Sequence, residues 1–176
     1  MTDREDIVTA IVAAAPSGEL IGRVRLQKTA YLLQRLGWDA GLAFEYHHYG
    51  PYSRELDNAA EDAKAFDLIE ERREPRQGDG ALFSRFVLTG AAKPKDALYD
   101  SLGRERVAEL IRRFAHTNIT VLELAATVDW LVSFERVADW RGEITRRKGQ
   151  KVKDGRLDRA VDLLRELHLE PATAAH

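Results

Sequence analysis

Apolar residues at Ile7, Ala10, Ile11 and Ala14 recur at i, i+3, i+4, i+7, which predicts a helix over about residues 3–15, stopped by Pro16-Ser17-Gly18. A second helix is expected over roughly residues 23–36, with Leu26, Ala30 and Leu33 on its inner stripe and Gly37 as its left-handed stop. Residues 44–49 are aromatic and read as a short strand or arm, after which Gly50-Pro51 is expected to turn the chain. Ser53 can cap a helix over about residues 54–66, whose apolar face is Leu56, Ala59, Ala60, Ala63 and Phe66. Residues 68–74 and 82–88 bracket Pro-Arg-Gln-Gly-Asp-Gly and predict a β-hairpin.

Beyond a connector over residues 90–102, Val107, Leu110, Ile111 and Phe114 again show helical spacing. Thr120 to Glu123 has the form of a capping box opening a helix that carries Ala125, Val128 and Val132. A shorter helix is expected around Trp140, and a last one over about residues 154–167. The expectation is a mostly α (α+β) chain. Five to six helices would pack around one core with a small hairpin and an aromatic arm, winged-helix-like in part. With no internal repeat or linker, residues 1–176 read as one domain, residues 1–92 forming the motif half and 93–176 a C-terminal helical half.

Composition narrows the chemistry. There is no cysteine, which removes disulfides, thiolate zinc sites and cysteine nucleophiles. The first residues carry acids where a signal peptide carries a basic region, and no apolar run reaches the roughly 18 residues of a membrane span, so a cytoplasmic protein is expected. Net charge is −2, from 27 basic and 29 acidic residues, which argues against a dedicated nucleic-acid binder.

The densest candidate is Phe-Glu-Tyr-His-His-Tyr-Gly-Pro-Tyr-Ser at residues 44–53, with four aromatic rings and two histidines. His47 and His48 are adjacent and would point to opposite faces of a strand, one packed and one exposed, so a shared metal is not expected. No G-x-S-x-G elbow and no phosphate-binding glycine loop occurs. No cofactor is expected, and the chain reads as non-catalytic. An enzyme would need a site assembled from distant residues, recognisable by a polar pocket holding His47 or His48.

In a winged-helix reading, residues 54–66 would be the recognition helix and the hairpin its wing. Arg54 and Lys64 there face Glu55, Asp57, Glu61 and Asp62, so the helix supplies no net positive charge for phosphate. Residues 145–156 are the basic exception, with six basic residues and one acid; they read as a solvated loop or as a contact for an acidic partner.

Residues 22–37, Gly-Arg-Val-Arg-Leu-Gln-Lys-Thr-Ala-Tyr-Leu-Leu-Gln-Arg-Leu-Gly, and residues 44–56, ending Tyr-Gly-Pro-Tyr-Ser-Arg-Glu-Leu, together resemble the YwgA-like proteins. These are related to the Panacea domain of SocA-like antitoxins and phage-associated proteins. The resemblance implies a largely helical domain that contacts another protein, as an antitoxin or adaptor of a bacterial or phage-related system. A toxin or a protease-linked target would be its partner. On this reading Gln27, Lys28, Tyr31, Tyr49, Gly50, Pro51, Tyr52 and Ser53 form the partner-binding surface. The basic loop would add Arg146, Arg147, Lys148, Lys151, Lys153 and Arg156. The competing expectation is a nucleic-acid-linked transcriptional regulator using the helix–hairpin unit or the basic loop.

Overall fold

The computed structural model describes residues 3–99 and 101–171. The helical spacing at the start produces α1 (Arg4–Ala14), buried from Asp6 to Val12. A 3₁₀ turn at Pro16–Gly18 reverses the chain into β1 (Glu19–Ile21), then α2 (Arg23–Arg35) follows from Gly22. The aromatic arm is a two-stranded sheet of β2 (Glu45–His47) and β3 (Gly50–Tyr52). Next come α3 (Arg54–Ala65), β4 (Ile69–Pro75) and β5 (Leu82–Leu88). The chain continues with α4 (Arg104–His116), α5 (Ile119–Ser133), α6 (Trp140–Lys148) and α7 (Arg156–Glu166). The mostly α expectation holds, with seven α-helices among the described residues rather than five or six. No helix among them is long and apolar enough to cross a membrane.

Contacts gather these elements into two units, one of residues 3–45 with 52–116, the other of Tyr46–Pro51 with residues 117–171. In the first unit, β1, β5 and β4 form an antiparallel sheet in that order, with Leu20 opposite Phe86 and Ile69 opposite Leu88. Phe86, Leu20 and Ile69 are buried, and α1 packs against β5, α3 and α4. The sequence order helix, strand, two helices, hairpin is the winged-helix layout, with α3 and the β4–β5 hairpin where the recognition helix and wing stand. One carboxylate ties its parts together. Glu71 on β4 accepts from Arg23 of α2 at 2.8 and 2.9 Å, from Lys64 of α3 at 2.7 Å and from Ser84 of β5 at 2.6 Å.

In the second unit, α5 is buried from Val121 to Asp129 and packs against α6 and α7. The capping box expected at Thr120 does not form. Asn118 is the N-cap, its side-chain oxygen accepting from the backbone N–H of Thr120 at 3.0 Å and of Val121 at 3.2 Å. Thr120 therefore lies inside the first turn, and Glu123 is released for another role. Asn118→Ala should cost about 1 kcal/mol of stability through the lost cap. A thermal-melt comparison that included Thr120→Ala, expected to be the milder change, would separate the two candidate caps.

Helix α6 starts at Asp139, whose carboxylate accepts from the Gly142 N–H at 3.0 Å. That closeness explains the glycine: a Cβ at position 142 would lie 2.3 Å from Asp139 Oδ2.

Candidate functional site

The arm departs from expectation at its turn. The chain reverses at His48-Tyr49, and Gly50-Pro51 instead opens the return strand, with Gly50 at a φ of 89° that suits glycine. His47 lies on the exposed face of β2, and His48 sits in the turn rather than on the strand. Both are therefore exposed, where the strand period had placed one of them inside. Tyr49, 48% exposed, meets the His48 ring edge-on at 4.9 Å.

Residues from α5 and α6 pack behind this turn. Glu123 is buried on α5 and accepts from Lys148 Nζ at 2.9 Å and from Lys151 Nζ at 2.9 and 3.0 Å. Lys148 also donates to the His48 carbonyl at 2.9 Å, which fixes the turn from inside. Burial pushes the Lys148 ammonium below its usual range, and the Glu123 carboxylate acts against that shift. Lys151 is partly exposed and lies 4.9 Å from the Tyr49 ring centre, a cation–π contact. A single buried acid thus faces two ammonium groups, one inside and one at the surface beside an exposed ring.

Arg147 forms the second layer. Its guanidinium sits 4.6 Å over the Tyr46 ring and bonds Glu135 at 2.7 Å and Glu143 at 2.6 Å. Hydrogen bonds donated to Glu135 and to Glu143 hold Arg147 above its ordinary range despite partial burial. Glu143 is correspondingly held down at about 2 by hydrogen bonds from Arg146 and Arg147. Burial pushes the Tyr46 hydroxyl up, with Arg147 opposing.

The segment expected as a basic loop is helical as far as Val152, first in α6 and then in a 3₁₀ turn at Gly149–Val152. Pairing uses up much of its charge. Arg146 bonds Glu143, and Arg156 turns back onto the carbonyls of Lys151 at 2.8 Å and Gln150 at 2.7 Å. Lys153 is exposed.

The remaining sequence candidates fall in the first unit and make a different arrangement. Gln27 is buried and brackets the Ser53 peptide, donating to its carbonyl at 2.9 Å and accepting from its N–H at 2.8 Å. Ser53 caps α3 through the Leu56 N–H, as expected, and Tyr52 donates its hydroxyl to Asp57 at 2.7 Å. Tyr31 is buried with its ring edge-on to Phe44 at 5.2 Å, and Lys28 is buried on the same helix. Tyr49, Gly50 and Pro51 belong to the second unit with Lys148 and Lys151. Sequence reasoning missed Glu123, Tyr46 and Glu135. The available signal was an acid inside the apolar run Leu-Glu-Leu-Ala-Ala at residues 122–126, where an unpaired carboxylate is too costly to bury.

The surface so built is aromatic and cationic. The chain is similar to the uncharacterised protein YwgA of Bacillus subtilis (strain 168), with 26% identity over 151 residues, a match covering 86% of this chain and 89% of that protein. It is also 30% identical over 129 residues to a DNA ADP-ribosyl glycohydrolase of Thermus aquaticus (strain ATCC BAA-2747 / Y51MC23). That match takes in 70% of this chain and 34% of the glycohydrolase, so the chain spans about a third of that relative's length. No family model matches the chain. The glycohydrolase match overturns the expectation of a non-catalytic chain, because it extends over 70% of the residues read as non-enzymatic.

Proposed function

We propose that this chain is the recognition module of a system that reverses ADP-ribosylation of DNA. Its partner would be the protein that attaches the ADP-ribose. The carrying observation is the difference between the two matches. Similar sequence makes up nearly all of one relative and only a third of another, which is how a module behaves that serves alone or joined to further chain. A glycohydrolase removes what a transferase adds, so a module associated with it gains by holding that transferase. This is antitoxin logic; residues 22–37 and 44–56 resemble the YwgA-like proteins, whose relation to the Panacea domain of SocA-like antitoxins motivates it.

The binding surface in this reading centres on Tyr49 and Lys151. An exposed aromatic ring on a turn anchored from behind by Lys148 is preorganised, and such rings are common anchors at protein interfaces. The test is a tagged pull-down from native lysate at two salt concentrations, with captured protein assayed for transfer of ADP-ribose to DNA. A stoichiometric partner with that activity should survive high salt, and Tyr49→Ala, at an exposed ring, should weaken capture at least tenfold with little change in the melting temperature. A captured partner lacking the activity would reject the reading.

The winged-helix layout of the first unit favours a second reading, a nucleic-acid-linked transcriptional regulator. Against it, the exposed positions of α3 include Glu61 and Asp62, and Lys64 is engaged by Glu61 and Glu71. Nucleic acid recovered only at low salt in the same pull-down would promote this reading.

A further inference from the structure

In the first unit β5 lies between β1 and β4, so one side of β4 faces away from the sheet. The phase of the ladder decides which residues use that side. Thr89 donates its N–H to the Leu68 carbonyl at 3.1 Å, and Arg76 donates to the Ala81 carbonyl at 2.8 Å. The register carries Leu68 opposite Thr89 and Arg76 opposite Ala81, and hydrogen-bonded pairs alternate in an antiparallel ladder, so Glu70, Arg72 and Glu74 also bond β5. On the far side of β5, Gly22 donates to the Ser84 carbonyl at 2.8 Å, which is the same phase. The N–H and C=O groups of Glu71 and Arg73 therefore point outward, where they meet no hydrogen-bonding partner among the described residues. Solvent reaches this main chain: the Glu71 side chain is 4% exposed, yet the residue as a whole is only partly buried.

The side chains along this edge are not equivalent. Ile69, Glu71, Arg73 and Pro75 share one face of the strand. Ile69 is buried, and Glu71 is held by Arg23, Lys64 and Ser84. Arg73 is exposed and forms no ion pair among the described residues. Pro75 has no N–H and closes the run of outward donors. An open edge is a template for another strand, and the charges decide which strand fits. A second copy fits poorly. Antiparallel pairing of this edge with itself puts a two-fold axis through one residue, which then faces its own copy. From Glu70 to Glu74 every residue is charged, so each such register sets like charges directly opposite. A foreign strand has no such restriction, and an acid on it can pair with Arg73.

We infer that the β4 edge accepts an extended segment of a partner protein as a fourth strand, with an acidic side chain opposite Arg73 and an apolar one over Pro75. Main-chain bonds to Glu71 and Arg73 hold the segment, and the Arg73 charge selects it. The inference stands on the edge alone and goes beyond the Tyr49 surface. The probe is the end-capped peptide Ser-Val-Thr-Glu-Thr-Val-Ser, whose Val, Glu and Val share one face and read alike in either direction. It is titrated into the full chain, with amide hydrogen exchange followed by NMR.

In the free chain the Glu71 and Arg73 amides should exchange at least tenfold faster than those of Arg72 and Glu74, which lie in the ladder. Saturating peptide should slow both at least tenfold. Arg73→Glu, at an exposed side chain, should weaken the peptide at least tenfold. The same peptide with lysine in place of glutamate should bind that variant more tightly than it binds the parent. The inference fails if the Glu71 and Arg73 amides are already as slow as their neighbours, or if the peptide slows neither. It also fails if the lysine peptide binds the parent as well as the glutamate peptide does, or if Arg73→Glu leaves the affinity unchanged. Slowing of both amides by raised protein concentration alone would assign the edge to a second copy. A shift of the Arg73 amide with duplex DNA and none with the peptide would assign it to phosphate; either result overturns the inference.

Discussion

Glu123→Leu should destabilise the second unit by about 3–5 kcal/mol, the usual cost of removing one partner from a buried ion pair. The substitution is nearly isosteric, so a cavity does not explain the loss. It leaves Lys148 buried with the His48 carbonyl but without a countercharge. The double variant Glu123→Leu with Lys148→Met should recover most of that loss, because an apolar pair of similar volume needs no charge compensation. Urea unfolding of the single and double variants provides the cycle. A single-variant loss below about 1 kcal/mol would show that water relieves Lys148 and that the pair does not hold the turn.

Acid should unlock the first unit through Glu71. Burial alone would raise its carboxyl, yet hydrogen bonds from Arg23, Lys64 and Ser84 outweigh burial and bring it from 4.5 down to about 2. A carboxyl whose folded value is depressed stabilises fully above its unfolded value. That contribution is lost as pH falls from about 4.5 towards 2. It amounts to about 2–3 kcal/mol, discounted for the partial exposure of Arg23 and Lys64. Glu71→Gln should lose this amount at pH 7 and flatten the stability curve between pH 4.5 and 2. Parallel acid limbs for the variant and the parent would assign the acid sensitivity to other carboxylates.

Local signals in the sequence located much of the fold. The hairpin strands were expected at residues 68–74 and 82–88 and lie at Ile69–Pro75 and Leu82–Leu88, because β-forming runs flank a glycine-rich turn. Ser53 was legible as a cap for the same reason: the information sits within four residues of its partner. Strand β1 was not legible, since three residues have too little alternation to read and their pairing partners lie more than 60 positions away at Arg85–Val87. Glu123 was misread because Thr-Val-Leu-Glu satisfies a local rule, while its lysine partners lie 25 and 28 residues downstream. The basic segment misled in a related way. Charge can be counted along a sequence, but the ion pair of Arg147 with Glu135 and the hydrogen bonds of Arg156 to backbone carbonyls cannot.

The six residues Tyr46–Pro51 interrupt the first unit in sequence yet belong to the second. On the ribosome, this turn emerges about a hundred residues before Lys148, the side chain that bonds the His48 carbonyl. The first unit has all its residues once His116 has been made, whereas the turn must await the C-terminal helices. Cutting after His116 would therefore strand the turn on the wrong fragment. A C-terminal fragment alone would lack the backbone carbonyl that Lys148 is built to reach. Nascent chains arrested before and after α6 should differ in protease cleavage at His48-Tyr49, with protection arriving only when that helix clears the exit tunnel.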